Sequence, residues 1–442
     1  MTMAADKQDK VLNVPNKREQ SQTCLNSAER AGLRPKGNVP TLRFPEFRGE
    51  WHRTTIGECC SPLEYGMNAP AKEYDGKNKY IRITDIDEET CTYKYDDVVS
   101  PNALLEEKYK VLDNDILFAR TGASTGKAYL YDKKDGLMYY AGFLIRGNVK
   151  PDFNSKFVFL QTQTQKYKKW VDIMSIRSGQ PGINSQEYSS FKFHLPPSKV
   201  EQDKISTLFT LLDVRITTQI RIIDKLKSLM QGLINKLMDN PKWAKIYVGD
   251  FMEFYSTNSL SWEQLNYNDG QVRNLHYGLI HSGLPTVVDC HKISLPYILD
   301  ASLPKQYVIC KEGDVAFADA SEDTAEVGKA VELTNIGTQT IACGLHTIHG
   351  RDVKNIMVGG FKGFAFNSKY FHDQLRRIAQ GSKVYSINID NVKSCYIYIP
   401  TIDEQQKIVG LLCCMQEKMG IAEEELRQYT IQKQFLLKGL FV

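Results

Sequence analysis

The sequence predicts an α+β protein in which two strand-rich α/β bodies are joined by two long antiparallel coiled-coil helices. Three observations lead to this fold class: a length of 442 residues, an internal repeat, and two extended amphipathic patterns that each follow a proline. A chain of this length exceeds what one hydrophobic core usually organises, so two or three domains are expected. Two similar bodies at opposite ends of paired helices would form a dumbbell with pseudo-twofold symmetry.

The composition is that of a globular protein, with 42% hydrophobic and 24% charged residues. No apolar run approaches the roughly 18 residues that a membrane span needs, and the N-terminus lacks the apolar core of a signal peptide. The ten cysteines include two adjacent pairs but no C-x-x-C motif, which favours a reduced, cytoplasmic chain over a disulfide scaffold or zinc module. The net charge of +4 permits DNA binding without demonstrating it.

An internal repeat organises the chain, because four segments recur in the same order in its two halves. The matching pairs are W-H-R-T-T-I-G (51–57) with W-A-K-I-Y-V-G (243–249), D-N-D-I-L-F-A (113–119) with E-G-D-V-A-F-A (312–318), G-K-A (126–128) with G-K-A (328–330), and P-S-K-V-E-Q-D-K-I (197–205) with P-T-I-D-E-Q-Q-K-I (400–408). The loop between the second and third pairs differs in length and sequence. Shared anchors around a divergent loop indicate one scaffold with two different tips.

Each half ends in a predicted long helix. Ser198 with Glu201, and Thr401 with Glu404, have the S/T-x-x-E spacing of a capping box directly after a proline. Behind each box, apolar residues recur in steps of three and four, from Ile205 to Leu237 and from Ile408 to Leu440. This pattern predicts two helices with a coiled-coil-like seam, although ordinary core helices are the alternative.

The equal length of the two apolar stripes suggests a spacer. At the rise of an α-helix each stripe extends roughly 48 Å, whereas B-DNA repeats about every 34–36 Å. A spacer of this length between two different recognition bodies would suit an asymmetric, two-part DNA sequence.

The segment A-R-T-G-A-S-T-G-K-A-Y-L-Y-D (119–132) resembles a nucleotide phosphate loop but departs from it. Only three residues separate Gly122 from Gly126, whereas the phosphate-binding pattern has four, and Ala128 replaces the hydroxyl that would bind magnesium. The following residues alternate like a strand and do not begin a helix. The sequence therefore favours a recognition loop over an ATP site.

Taken together, these motifs resemble those of the DNA specificity subunit of type I restriction–modification systems. The segments that carry the resemblance are L-R-F-P-E-F (42–47), E-W (50–51), D-I-L-F-A-R-T-G-A-S-T-G-K (115–127), S-G-Q-P-G-I-N (178–184) and the two proline-plus-helix units. The resemblance implies two target-recognition domains for double-stranded DNA and helices that dock two modification subunits and, through them, restriction subunits. It places S-adenosylmethionine, ATP and magnesium on those partners, which would methylate adenine.

The chain itself is predicted to be non-catalytic and to hold no cofactor. It has no Asn/Asp-Pro-Pro-aromatic tetrapeptide and no glycine-rich cofactor fingerprint after a first strand. Two alternatives are a stand-alone adenine methyltransferase and a two-lobed interaction scaffold without a DNA role. The predicted divisions are an N-terminal flexible arm (1–41), the first recognition domain (42–197), the first spacer helix (198–240), the second recognition domain (241–400) and the second spacer helix (401–442).

The candidate DNA-binding residues lie in two polar loops of each half. In the first half the candidates are Arg120, Thr121, Ser124, Thr125, Lys127, Arg177, Ser178, Gln180 and Asn184. Their charged, hydroxyl and amide groups suit phosphate and base-edge contacts, while a solvated hairpin tip and turn chemistry for Ser178 and Asn184 are the alternatives.

The second half offers a weaker set of candidates. They are Ser321, Lys329, Gln380, Ser382 and Lys383. Asp319 stands where the first half has Arg120, and Glu322, Asp323 and Glu326 crowd the same tip, where they would repel phosphate unless they accept from cytosine. Contacts are therefore not expected to transfer one to one between the halves.

One group of side chains has a spacing that could suit a metal ion. Cys343, His346 and His349 lie close in sequence, but no fourth ligand is evident and the stretch has the pattern of a strand and turn. The sequence therefore predicts no metal site and favours structural or contact roles for these histidines.

Overall fold

The computed structural model describes residues 37–323, 326–381 and 383–442. The predicted arm, residues 1–41, thus lies almost entirely outside the described residues. The described chain forms two compact units: residues 37–221 with 424–442, called the first unit, and residues 222–423, called the second unit. No described helix combines the length and apolar character that crossing a membrane requires.

The first unit is built from short strands around one larger sheet. Its described strands are β1 (His52–Thr55), β2 (Glu64–Tyr65), β3 (Ala71–Glu73), β4 (Lys79–Ile81), β5 (Val99–Pro101), β6 (Asp115–Ala119), β7 (Ala128–Leu130), β8 (Met138–Tyr140), β9 (Leu144–Asn148) and β10 (Lys192–Leu195). Its helices are α1 (Ile56–Cys59), α2 (Ser155–Gln161), α3 (Gln165–Met174), α4 (Ser185–Ser189) and the first half of α5 (Lys199–Met238).

The central sheet of the first unit has the order β2-β9-β6-β7. Strand β6 is buried along its whole length, which explains its continuous apolar run. Separate ladders pair β1 with β10, β3 with β5, and β4 with β8, the last in parallel. One core cluster joins the β1–β10 end of the unit to helices α2 and α5.

The second unit repeats this plan with two larger sheets. Its described strands are β11 (Ala244–Tyr247), β12 (Met252–Tyr255), β13 (Leu265–Asn266), β14 (Arg273–Leu275), β15 (Val287–Asp289), β16 (Tyr297–Ile298), β17 (Val315–Ala318), β18 (Ala320–Ser321), β19 (Ala330–Thr334), β20 (Ile341–Cys343), β21 (Thr347–Asp352), β22 (Tyr385–Ser386) and β23 (Tyr396–Ile399). The helices that begin in it are α6 (Tyr277–His281), α7 (Phe361–Phe366), α8 (Lys369–Ile378), α9 (Ile389–Ser394) and α10 (Ile402–Leu440). The sheet orders are β12-β21-β17-β19-β15 and β13-β16-β14-β20.

Strand pairing confirms the internal repeat. The antiparallel pair β1–β10 has its counterpart in β11–β23, and β6–β9 in β17–β21. The parallel pair β4–β8 likewise corresponds to β14–β20. The two halves therefore share a scaffold and not merely a set of short motifs.

The two long helices, of 40 and 39 residues, contribute to both units. In the first unit the start of α5 shares a core cluster with the end of α10, through residues such as Phe209 and Leu440. In the second unit the end of α5 shares a core cluster with the start of α10, through residues such as Ile234 and Leu412. The helices therefore run antiparallel, as predicted.

The two predicted capping boxes have different outcomes. At α10, Glu404 N donates to Thr401 Oγ1 (3.4 Å) and Thr401 N donates to Glu404 Oε2 (3.2 Å), which confirms the second box. At α5 the prediction was wrong, because the buried Glu201 carboxylate accepts two hydrogen bonds from Arg43 (2.8 Å each) and one from Trp51 Nε1 (3.3 Å). Glu201 thus ties the segment before β1 to the spacer helix.

Candidate nucleic-acid interface

The loop that follows β6 is a tight turn whose backbone carbonyls accept hydrogen bonds from two tyrosine hydroxyls. Gly122 and Gly126 have φ values of 72° and 91°, in the left-handed region that favours glycine. The Tyr188 hydroxyl donates to Ala119 O (2.6 Å), and the Tyr167 hydroxyl donates to Gly126 O (3.1 Å). The chain then enters strand β7 instead of a helix, so the structure agrees with the rejection of a nucleotide loop.

The two predicted loops of the first unit lie side by side. Thr121 forms an antiparallel bridge with Gly182, and Ile183 N donates to Arg120 O (2.9 Å). Gly122 N donates to Pro181 O (3.0 Å). The structure therefore brings residues 120–127 and 177–184 into one surface, although the two loops lie far apart in the sequence.

Several candidate side chains in this surface already have structural partners. Arg177 forms a bidentate ion pair with Glu187 (2.7 and 2.6 Å), and the Asn184 side chain accepts from Glu187 N (2.8 Å) as the N-cap of α4. Lys127 Nζ lies 3.1 Å from Glu88 Oε2. The Thr125 hydroxyl donates to Gly122 O (2.7 Å). These contacts support the turn-chemistry alternative for Asn184, while DNA contact by each of these residues stays a prediction.

Arg120 and its neighbours present a different chemistry. The Arg120 guanidinium lies over the Tyr65 ring, 4.9 Å from its centroid. Ser178 and Gln180 are exposed, and Ser124 is half-buried in the short 3₁₀ turn 122–124. The surface thus combines a cation, an amide, hydroxyls and an aromatic face.

The second unit repeats the paired-loop arrangement with other side chains. Strand β18 pairs with β22, and Ser321 lies opposite Tyr385. Gln380 bridges to Ser386, and Ile387 N donates to Asp319 O (2.9 Å), in the position that Ile183 and Arg120 occupy in the first unit. Lys383 is exposed, while Ser382 lies outside the described residues.

Two histidines lie close to acidic residues of the loop 319–326 in the second unit. Asp319 Oδ1 lies 3.1 Å from His346 Nδ1, and Lys329 Nζ lies 2.8 Å from Glu326 Oε2. The imidazole of His281, with Nδ1 3.8 Å from Glu326 Oε2, lowers the pKa of Glu326 to about 2, and Glu326 in turn raises the pKa of His281. Glu322 and Asp323 are exposed. Asp319 and Glu326 thus have imidazole or cationic partners, so the tip is less repulsive to phosphate than the sequence suggested.

Aromatic residues at these surfaces were missed by the sequence analysis. In the first unit Phe143 is exposed beside Arg120, whose backbone N donates to Phe143 O (3.0 Å). In the second unit Trp262 stacks on His276 with ring centroids 4.4 Å apart, and Tyr277 contacts His346 with centroids 5.2 Å apart. Burial lowers the pKa of His276 to about 4. Exposure of an aromatic ring is not readable from sequence, which explains why these residues were not predicted.

Comparison with known proteins gives a family match for the first half of the chain. Residues 50–228 match the family of type I restriction modification DNA specificity domains. This match lies in the first half of the chain and agrees with the DNA specificity domain predicted there.

Two solved structures are similar to this chain in fold. The S subunit of a type I system from M. genitalium is 14% identical, with a TM-score of 0.58 over 91% of this chain and 99% of that chain. A chain from a study of complex assembly and conformational transition of the type I R-M system is also 14% identical, with a TM-score of 0.51 over 89% of this chain and 97% of that one. These matches cover both halves, so they confirm the predicted fold class of two strand-rich domains with packed long helices.

Proposed function

We propose that this chain is the DNA specificity subunit of a type I restriction–modification system, and that each of its two units reads one part of a two-part, asymmetric DNA target. The observation that carries the proposal is the duplicated pair of loops. The same backbone hydrogen bond, Ile183 N to Arg120 O and Ile387 N to Asp319 O, supports two different sets of side chains. A shared scaffold with different recognition surfaces would read two different sequences.

The first unit supplies groups for direct contact with base edges. Arginine reads guanine through two parallel hydrogen bonds, and glutamine reads adenine in the same way, so Arg120 and Gln180 are the proposed reading side chains. Ser124, Thr121 and Lys127 have donors that suit phosphate oxygens, which fix the register of a protein on the duplex. The Tyr65 ring beneath Arg120 holds its guanidinium in one orientation, which reduces the entropy lost on binding.

The second unit supplies a more mixed surface. Gln380, Lys383 and Ser321 offer donors and acceptors, while Asp319 can accept from the amino group of cytosine. Lys329, paired with Glu326, is better suited to holding the loop than to reaching DNA. The exposed Trp262 adds an apolar face that suits a thymine methyl group or an unstacked base.

The long helices are the proposed docking sites for two modification subunits. Large apolar residues point into solvent along both helices, which is unusual for a helix with no partner. They are Val200, Leu211, Val214, Ile222, Leu229, Ile402, Leu411, Ile421, Ile431 and Phe435. The modification subunits would bring S-adenosylmethionine and methylate adenine, and restriction subunits would bring ATP and magnesium.

Replacing Arg120 by alanine is expected to weaken specific DNA binding by about 5- to 150-fold, because one good bidentate base contact contributes about 1–3 kcal/mol. The measurement is a titration of target duplex with the assembled complex at fixed salt, since salt alone changes affinity strongly. Arg48→Ala removes the same charge from another exposed site and is the matched control. Equal affinities for R120A, R48A and the unsubstituted complex would exclude Arg120 from the DNA contact.

A further inference from the structure

We propose that Cys310, Cys343 and His349 bind a zinc ion inside the second unit. One ligand atom from each residue lies within 4.8 Å of the others, and all three residues are buried. Cys310 precedes β17, Cys343 ends β20 and His349 lies in β21, so the site would join three segments of one domain. Thiolate and imidazole groups are the donors that zinc prefers in proteins, and with three protein ligands the fourth position of a tetrahedral ion would be taken by a water.

The sulfur geometry fits a tetrahedral ion. The two Sγ atoms are 3.6 Å apart. A zinc ion with Zn–S distances of about 2.3 Å and tetrahedral angles places two sulfurs roughly 3.8 Å apart. A disulfide would require them to close to about 2.05 Å. The sulfurs therefore need to move less to bind zinc than to form a disulfide.

The imidazole supplies an independent observation. His349 is fully buried, and its Nε2 lies 2.7 Å from Asp314 Oδ2. Its Nδ1 is buried and has no hydrogen-bond partner among the described residues. Because buried polar atoms are nearly always satisfied, the orphaned Nδ1 of an imidazole that clusters with two thiols points to a missing ligand. With Nε2 donating to the carboxylate, Nδ1 presents the lone pair that a metal would accept.

The residues around His349 resemble the support that metal-binding histidines commonly have. A carboxylate on the second ring nitrogen orients the imidazole and raises its basicity. Asp314 is itself held by Arg351, through Nε to Oδ1 (2.8 Å) and Nη2 to Oδ2 (2.7 Å). The orientation of the ring is thus already set before an ion binds.

Charge balance also favours a divalent ion. Two thiolates, one neutral imidazole and Zn²⁺ sum to zero, so the site would place no net charge in the core. Zinc would displace the two thiol protons as it binds, as it does in other thiolate sites.

The site is specific to the second unit. Strand register places Val111, Tyr140 and Arg146 of the first unit at the positions of the three proposed ligands. Val111 and Tyr140 pack there in an ordinary hydrophobic cluster. The shared scaffold therefore does not require these thiols, and their presence in one copy calls for a separate reason.

Zinc at this position would stabilise part of the candidate DNA interface. The turn between Cys343 and His349 carries His346, whose ring contacts Asp319 in the loop after β17. The sequence analysis grouped Cys343, His346 and His349. In the structure Cys310, and not His346, clusters with Cys343 and His349. Cys310 was missed because it lies on a distant segment of the chain.

The test is the zinc content of the purified full-length chain, produced with zinc in the medium and measured by inductively coupled plasma mass spectrometry. About one zinc ion per chain is expected, with loss in Cys310→Ala, Cys343→Ala and His349→Gln. Cys290→Ala is the matched control, because Cys290 is a buried thiol of the same core cluster outside the proposed site, and it should retain zinc.

A second measurement keeps the proposal testable if the variants do not fold. Cobalt added to the unsubstituted apo chain should give the intense thiolate charge-transfer absorption of a Co²⁺–cysteine site. Absence of both zinc and this absorption would overturn the proposal. So would zinc that persists in the folded Cys343→Ala variant, or thiol titration of the non-reduced chain that finds Cys310 and Cys343 joined in a disulfide.

Discussion

Replacing Lys362 by methionine is expected to destabilise the second unit by about 3–5 kcal/mol, because it leaves a buried carboxylate without its charge partner. Lys362 is 3% exposed, and its Nζ lies 3.0 Å from Oε1 of the fully buried Glu332. Glu332 Oε2 also accepts from Gly363 N (2.8 Å), so the carboxylate joins β19 to α7. Hydrogen exchange of β19 would report the loss within this unit.

The loss should depend on pH in a defined direction. Burial raises the pKa of Glu332 in the folded chain above its ordinary value. A folded state that binds the proton more tightly loses stability as pH rises, so the K362M defect should be smaller in mild acid than at neutral pH. Lys369→Met is the control, since Lys369 pairs with Asp373 on the surface and should contribute less than about 1 kcal/mol. Equal effects of the two substitutions would show that the buried pair does not stabilise the unit.

Replacing Phe441 by alanine is expected to destabilise the first unit by about 3–5 kcal/mol. Phe441 directly follows α10 and is 8% exposed. Its ring packs against Phe157, Phe209 and Trp51 at centroid distances of 5.2, 5.9 and 6.5 Å. Truncation would remove this ring from the core cluster that α5 shares with β10 and with Trp51, which precedes β1. Denaturant unfolding followed by hydrogen exchange in β1 and β10 would measure the loss.

Phe435 supplies the matched control on the same helix, because it is 60% exposed. F435A should change stability by less than about 0.5 kcal/mol. It should instead weaken copurification of a modification subunit if the exposed apolar faces are docking sites. An F441A chain as stable as F435A would contradict the packing of the first unit, and unaltered copurification of F435A would count against docking at this position.

The sequence predicted the large features of the fold because they leave periodic or repeated signals. The long helices followed from sustained steps of three and four, and the two scaffolds from repeated anchors such as the G-K-A segments. Strands of two or three residues, such as β13 and β18, are too short to show alternation. The capping box at α5 was mispredicted because Arg43 and Trp51, distant in sequence, compete for Glu201.

The candidate site was predicted less completely, and for a similar reason. Glycine and hydroxyl residues predicted the loops after β6 and before α4. They did not predict the backbone hydrogen bonds that join these two loops. The ion pair between Arg177 and Glu187, the stacking of Arg120 on Tyr65, and the orphaned Nδ1 of His349 all depend on three-dimensional contacts. Composition and motif spacing can propose donors and acceptors, whereas only tertiary structure shows which of them are already used.

The most direct test of two-part reading is genome-wide mapping of methylated adenine in cells that express this chain with its modification subunit. The unsubstituted chain should give one asymmetric motif in two parts separated by unread bases. Arg120→Ala should change base preference in one part alone, and Gln380→Ala in the other part alone. A single uninterrupted motif, or a change in both parts from either substitution, would contradict the account.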